Sequence, residues 1–212
     1  HHQQSWPATV EYTVVFFKYC SATMNTIMFF VGMLVLCIMQ ASAFVAHSKL
    51  ASVSSRSSLS MLKEGEGAPD FALKNQFGKV VKLSQFKGKK DVVVFFYPKD
   101  DTPGCTKEAC AFNDSLEDFS KLKAEVIGIS SDEDHTAFVQ KYGLQMTMLS
   151  DVGGKVRSEW KVPKAMFGAL DGRVTYVIGK DGVCKKVHDD LLKAESHVEV
   201  AFKTLQARQG TE

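Results

Sequence analysis

The stretch from Asp91 to Tyr97 (DVVVFFY) most narrows what this chain can become. After Asp91 it holds no charge and no turn former, and β-branched and aromatic residues fill it. A strand with one face in water alternates apolar and polar residues. A continuous apolar run of this length describes a strand covered on both faces. Such a strand needs neighbours on either side and a packed layer above and below. Pro98 ends it.

The rest of residues 62–212 supplies those layers. Phe71–Leu73 and Val80–Leu83 read as short strands around an Asn75–Gly78 turn. Glu125–Ser130 (EVIGIS) is a second central strand, and Met146–Leu149 a shorter one. Val174–Ile178 and Val183–Val187 flank Lys180-Asp181-Gly182 and form a hairpin. Between them, Gly104–Lys123 reads as one long helix opened by Pro103, with Phe112, Leu116, Phe119 and Leu122 on its core face. Asp134–Tyr142 is a helix capped by Gly143. Lys155–Trp160 is a short helix, and Leu192–Arg208 a closing amphipathic one. The alternation predicts an α/β domain, a central mixed β-sheet flanked by helices on both faces.

Chemistry concentrates in Pro98-Lys99-Asp100-Asp101-Thr102-Pro103-Gly104-Cys105-Thr106-Lys107-Glu108-Ala109-Cys110. The buried strand delivers the chain to a turn, and Cys105 falls in the first turn of the helix that follows. Unpaired backbone N–H groups and the helix dipole there favour a thiolate. Pro103 preorganises the turn, and Thr102 can set its hydroxyl beside the sulfur or accept a bond from substrate. If Cys105 and Cys110 share one helix, they stand about 140° apart around its axis and about 7.5 Å apart along it. A disulfide tolerates roughly 7 Å between Cα atoms, so a bond between them requires the first helical turns to unwind.

The segment resembles the peroxiredoxin active-site pattern Pro-x-x-x-Thr-x-x-Cys, here Pro98, Thr102 and Cys105. The distance on to Cys110 is similar to that of the peroxiredoxin Q branch, also called bacterioferritin comigratory protein. The resemblance runs over residues 62–208 and includes VIGISSD and GRVTYVIGKDG. It implies a thioredoxin-like fold and a thiol-dependent peroxidase, with Cys105 as the peroxidatic and Cys110 as the resolving cysteine. It implies Arg173 as the guanidinium that completes the site, and Pro98, Pro103 and Gly104 as walls of the substrate pocket. A thioredoxin or similar dithiol reductant is the implied partner, hydrogen peroxide and organic hydroperoxides the implied substrates, and a monomer the implied state. No metal or organic cofactor is called for.

Glu108, one turn after Cys105, either orients Arg173 or faces the helix dipole. Arg157 and Arg208, the other arginines of this region, read as surface residues on helices. Cys184 reads as a packed small hydrophobe, His188-Asp189-Asp190 as a solvated loop, and Phe95, Phe96 and Tyr97 as core, with Phe96 or Tyr97 able to wall the peroxide pocket.

Three other readings compete. Zinc would draw on Cys105, Cys110, Cys184, His135, His188 and His197, but these lack the paired spacing of a tetrahedral site. A thioredoxin-type oxidoreductase would carry Cys-x-x-Cys, which is absent from the sequence. A non-catalytic redox sensor remains as the alternative, separable by the absence of peroxide turnover.

Residues 1–61 read as a leader. Lys18, Lys49 and Arg56 against Glu11 account for the whole formal charge of +2. The body is therefore neutral and gives no electrostatic basis for nucleic-acid binding. Ile27–Met39 is a 13-residue uncharged run, short of the roughly 20 a membrane span needs. It ends in Gln40-Ala41-Ser42-Ala43, a small-x-small cleavage site, which predicts a signal peptide over 24–43 and no stable span after processing. Residues 1–23, ahead of Met24, read as untranslated sequence carried into the reading frame or as an extension. Residues 44–61 are serine-rich with no acid, which is transit-peptide composition. The Ala41-Ser42-Ala43-Phe44 junction resembles the bipartite plastid presequence of diatoms and related algae. A plastid destination is the expectation, and secretion the alternative.

Overall fold

The computed structural model describes residues 61–210. The leader readings, apart from Met61, lie outside the described residues. Among the described residues there are nine strands: β1 (Ala72–Asn75), β2 (Val80–Lys82), β3 (Asp91–Phe96), β4 (Ala124–Ser130), β5 (Thr147–Ser150), β6 (Lys164–Ala165), β7 (Leu170–Asp171), β8 (Val174–Ile178) and β9 (Cys184–Asp189). Five α-helices accompany them: α1 (Pro103–Asp114), α2 (Leu116–Lys121), α3 (Thr136–Tyr142), α4 (Lys155–Glu159) and α5 (Ala194–Gln209).

Seven strands form one mixed sheet in the order β2-β1-β5-β4-β3-β8-β9. β3, β4 and β5 run parallel, and β8 joins β3 antiparallel. The all-apolar run after Asp91 sits at the centre, and every residue of β3 is buried. Its side chains alternate between two cores. Val92, Val94 and Phe96 point to one that also holds Trp160, Tyr176 and Ile178. Val93, Phe95 and Tyr97 point to the other, with Cys105, Phe112, Phe119 and Phe138. Burial of side chains this large contributes about 2–3 kcal/mol each. Helices therefore cover both faces, as the sequence predicts.

The expected long helix over Gly104–Lys123 is broken. At Ser115 the backbone leaves helical geometry (φ −96°, ψ 2°). The Ser115 hydroxyl bonds back to the Ala111 carbonyl at 3.0 Å, a competition that bends helices. The apolar spacing survives the bend: Phe112 and Phe119 are buried, and Leu116 and Leu122 pack beside them. Between α4 and β8, β6 and β7 form a small second sheet that periodicity did not predict. Ahead of β1, the chain runs beside Gly182–Cys184, where β9 begins. Gly65 N–H donates to Cys184 O at 2.8 Å, Cys184 N–H to Glu66 O at 2.8 Å, and Ala68 N–H to Gly182 O at 2.9 Å.

Candidate active site

The site forms where β3 ends and α1 begins. Thr102 is the N-cap in extended conformation and Pro103 occupies the first helical position. Proline is preorganised for that place, where its missing N–H costs nothing. Cys105 follows in the first turn, where backbone N–H groups have no intrahelical acceptor. Its side chain is 1% exposed and shares a core with Tyr97, Ala109 and Phe112.

Arg173, just ahead of β8, reaches across to this turn. Its Nη2 lies 3.5 Å from Cys105 Sγ, its Nη1 donates to Glu108 Oε2, and its Nε donates to Leu191 O at 3.2 Å. Three directions of one planar group are thus fixed, a fork that an ammonium cannot reproduce. Gly104 makes room for it, since a Cβ there would stand 3.0 Å from Arg173 Nη2. Of the two roles open to Glu108, the geometry matches orientation of Arg173. Burial pushes the Glu108 carboxyl up to about 8, against the opposing pull of Arg173.

The Thr102 hydroxyl donates to Lys99 O at 3.1 Å, which closes the turn and leaves its lone pairs free to accept a bond. Pro98 is half-buried and ends β3, while Pro103 is exposed. Tyr97 faces the Cys105 side of the sheet and Phe96 the opposite side, so only Tyr97 is on the right face to wall a peroxide pocket. Cys110 is half-buried on the intact α1, where burial and the charge of Asp114 push its thiol up. Cys105, Cys110 and Cys184 are all free thiols.

The two acids before Thr102 carry roles that residue spacing does not reveal. Asp100 accepts from the Tyr97 hydroxyl at 2.6 Å and pairs with His135 Nδ1 at 2.8 Å. Its own N–H donates to Asp132 Oδ2 at 2.9 Å. Asp101, in the left-handed region at φ 56°, accepts from Lys141 at 2.7 Å and from the Tyr142 hydroxyl at 2.6 Å. Together they tie the turn before Cys105 to α3. The available signal was a pair of adjacent acids in a turn next to a reactive cysteine. Nothing in the spacing identifies partners some 35 residues away.

Two readings are corrected. Arg157 is buried, not a surface residue. Asp151 accepts the Arg157 backbone N–H at 2.8 Å and turns the side chain inward. There it donates to Tyr97 O at 2.7 Å and Gly172 O at 2.8 Å, joining the end of β3 to the residue before Arg173. His188 and Asp189 lie in β9 rather than in a solvated loop. His188 Nε2 is 2.7 Å from Ser196 Oγ, and its ring packs edge-on against His197 at 4.6 Å. Cys184 is buried, and burial pushes its thiol up to about 12, as suits a packing residue. Among the described residues, no three His, Cys, Asp or Glu side chains gather as a metal site would require.

The AhpC/TSA family model matches residues 65–187. Peroxiredoxin Q, chloroplastic, of Sedum lineare is 50% identical over 169 residues, covering 79% of this chain and 89% of the relative. Its namesake in Suaeda salsa is 55% identical over 148 residues, 69% of each. Among solved structures, peroxidoxin BcpB of Mycobacterium tuberculosis superposes with a TM-score of 0.64 at 35% identity, over 69% of this chain and 97% of that one. A cysteine-to-serine mutant of Xylella fastidiosa PrxQ gives 0.65 at 26% identity, over 71% and 99%.

Proposed function

This chain belongs to the peroxiredoxin Q branch of the AhpC/TSA family, and from that premise we propose that Cys105 is the residue that attacks peroxide. The fold is thioredoxin-like and the protein is a thiol-dependent peroxidase. The observation that carries the assignment is the approach of Arg173 Nη2 to Cys105 Sγ, 3.5 Å, at a helix start whose N–H groups lack acceptors.

In this reading the Cys105 thiolate attacks one peroxide oxygen. An S–O bond forms and the O–O bond breaks. The leaving oxygen takes a proton and departs as water or alcohol, and Cys105 is left as sulfenic acid. Arg173 and the first-turn N–H groups stabilise the charge that develops on the departing oxygen. Thr102 contributes by closing the turn that presents those groups. Pro98, Pro103 and Gly104 shape the approach, and Gly104 also admits the guanidinium.

Cys110 then attacks the sulfenic sulfur, an S–S bond forms, and water leaves. A thioredoxin-type dithiol reduces the disulfide by exchange. Because α1 separates the two sulfurs, this step unwinds its first turns. The catalytic domain is residues 62–212, acting as a monomer. The chloroplastic names of the relatives support a plastid location, reached through the signal and transit segments of residues 24–61.

The test is peroxide consumption with a thioredoxin system. Cys105→Ser abolishes turnover. Cys110→Ser forms sulfenic acid once and is not recycled by thioredoxin. A wild-type protein that consumes no peroxide with any dithiol donor overturns the assignment and leaves the redox-sensor alternative.

A further inference from the structure

Beneath the Cys105–Arg173 contact lies a second layer of buried polar groups. Glu108 and His197 are both 0% exposed. Glu108 gives Oε2 to Arg173, whereas its Oε1 has no hydrogen-bond partner. His197 Nδ1 stands 3.5 Å from that oxygen.

The other neighbours of His197 fix its tautomer. Nε2 is 2.8 Å from the Asp190 carbonyl oxygen, which can only accept, so Nε2 carries a proton. Nδ1 is 2.8 Å from Thr175 Oγ1. In the neutral ring, Nδ1 presents its lone pair toward both the Thr175 hydroxyl and Glu108 Oε1. A charged carboxylate oxygen left without a donor in this setting is costly, while an O–H facing a lone pair is not.

The other titratable or charged groups around the pair are few. Arg173 comes from the segment before β8, Cys105 from α1, and His188 from β9 against the His197 ring. The Asp190 carboxylate turns to the amides of Leu192 and Lys193. Burial pushes His197 down to about 4 and Glu108 up to about 8, both toward uncharged forms.

We propose that His197 is a positioning residue for Cys105: it holds Glu108 in the proton-bearing form, so that Arg173 stays anchored by Glu108 while its charge is left to the sulfur and the incoming peroxide. An ionised Glu108 would neutralise the guanidinium in a low-dielectric interior, where such a pairing is strong. The inference rests on the peroxidase reading and adds to it the group that tunes the guanidinium.

The experiment titrates the Glu108 carboxyl by 13C NMR in the reduced wild-type protein, with the resonance assigned by its loss in Glu108→Gln. In parallel, the alkylation rate of Cys105 is followed against pH in a Cys110→Ser background. Glu108 is expected to be protonated at pH 6.5 and to titrate near 8. In His197→Leu its midpoint falls by a pH unit or more, and Cys105 alkylation at pH 7.5 slows about threefold or more, as the protonated share of Glu108 drops from roughly three quarters to roughly one quarter. Glu108→Gln, which cannot ionise, restores the rate in the His197→Leu background.

A Glu108 carboxyl already ionised at pH 6.5 in the wild type overturns the proposal, even if His197→Leu does not fold. So does a midpoint unmoved by His197→Leu, or a double variant as slow as His197→Leu alone. Peroxide turnover is measured on the same wild-type sample. Turnover with an ionised Glu108 defeats this inference alone, whereas absent turnover defeats the peroxidase reading.

Discussion

Arg173 holds Cys105 and Glu108 with two nitrogens of one guanidinium, Nη2 toward the sulfur and Nη1 toward the carboxyl. The two contacts sit one helical turn apart on α1, so the helix itself sets the angle of the fork. Lysine in this place keeps a charge but offers no second, fixed direction. Arg173→Lys is expected to slow the reaction of Cys105 with peroxide about 10²-fold, the scale of losing one oxyanion donor. Stopped-flow measurement of sulfenic acid formation checks this, and a loss under threefold would refute it.

Gly104→Ala separates activity from stability. In a helix alanine outperforms glycine by up to about 1 kcal/mol, yet the new Cβ would stand 3.0 Å from Arg173 Nη2. The variant is expected to unfold at the same or higher urea concentration while reacting several-fold more slowly with peroxide. Equal or faster reaction would show that the guanidinium does not need this room.

Oxidation should be visible as lost structure. Both cysteines lie on an intact α1, and a disulfide between them cannot form there. Amide hydrogen exchange on the peroxide-treated protein is expected to show faster exchange over residues 105–112 than in the reduced state, with β3 and β4 unchanged. Retained protection across α1 in a protein shown by mass spectrometry to hold the Cys105–Cys110 bond would contradict the unwinding.

The His135–Asp100 pair predicts a pH dependence. Burial lowers the His135 value, but the hydrogen bond and charge of Asp100 outweigh it and the imidazole stands above its ordinary range. A value raised by folding means stabilisation fully present below about pH 6.5, the unfolded value, and lost as pH rises through the folded one. The difference in urea midpoint between wild type and His135→Gln is therefore expected to be largest below about pH 6 and to narrow on going alkaline. A gap constant from pH 5.5 to 8.5 would dissociate the pair from stability.

The central features were legible because local rules decide them. DVVVFFY admits one environment, Pro103 marks a helix start, and Gly143 adopts φ 62° at the end of α3. What escaped depends on partners distant in sequence. Arg157 carries no mark distinguishing it from a surface arginine. Its burial follows from two backbone carbonyls, at Tyr97 and Gly172, that only the folded chain brings together. Asp100 and His135, and Glu108 and His197, are hidden for the same reason. The break at Ser115 is local but ambiguous, because a serine inside a helical pattern bends it only when its hydroxyl bonds back.

The run of backbone from Gly65 to Ala68 beside the start of β9 has a consequence for where the chain can be cut. Without it, the entry to β9 at Gly182–Cys184 would present open amides and carbonyls at the margin of the sheet, the kind of surface on which another molecule's strand can add. Leu62 N–H also bonds to Trp160 O at 3.2 Å, pinning the start of this selvedge. A chain that keeps Leu62–Ala68 holds these groups paired, while trimming past Ala68 opens them to such addition.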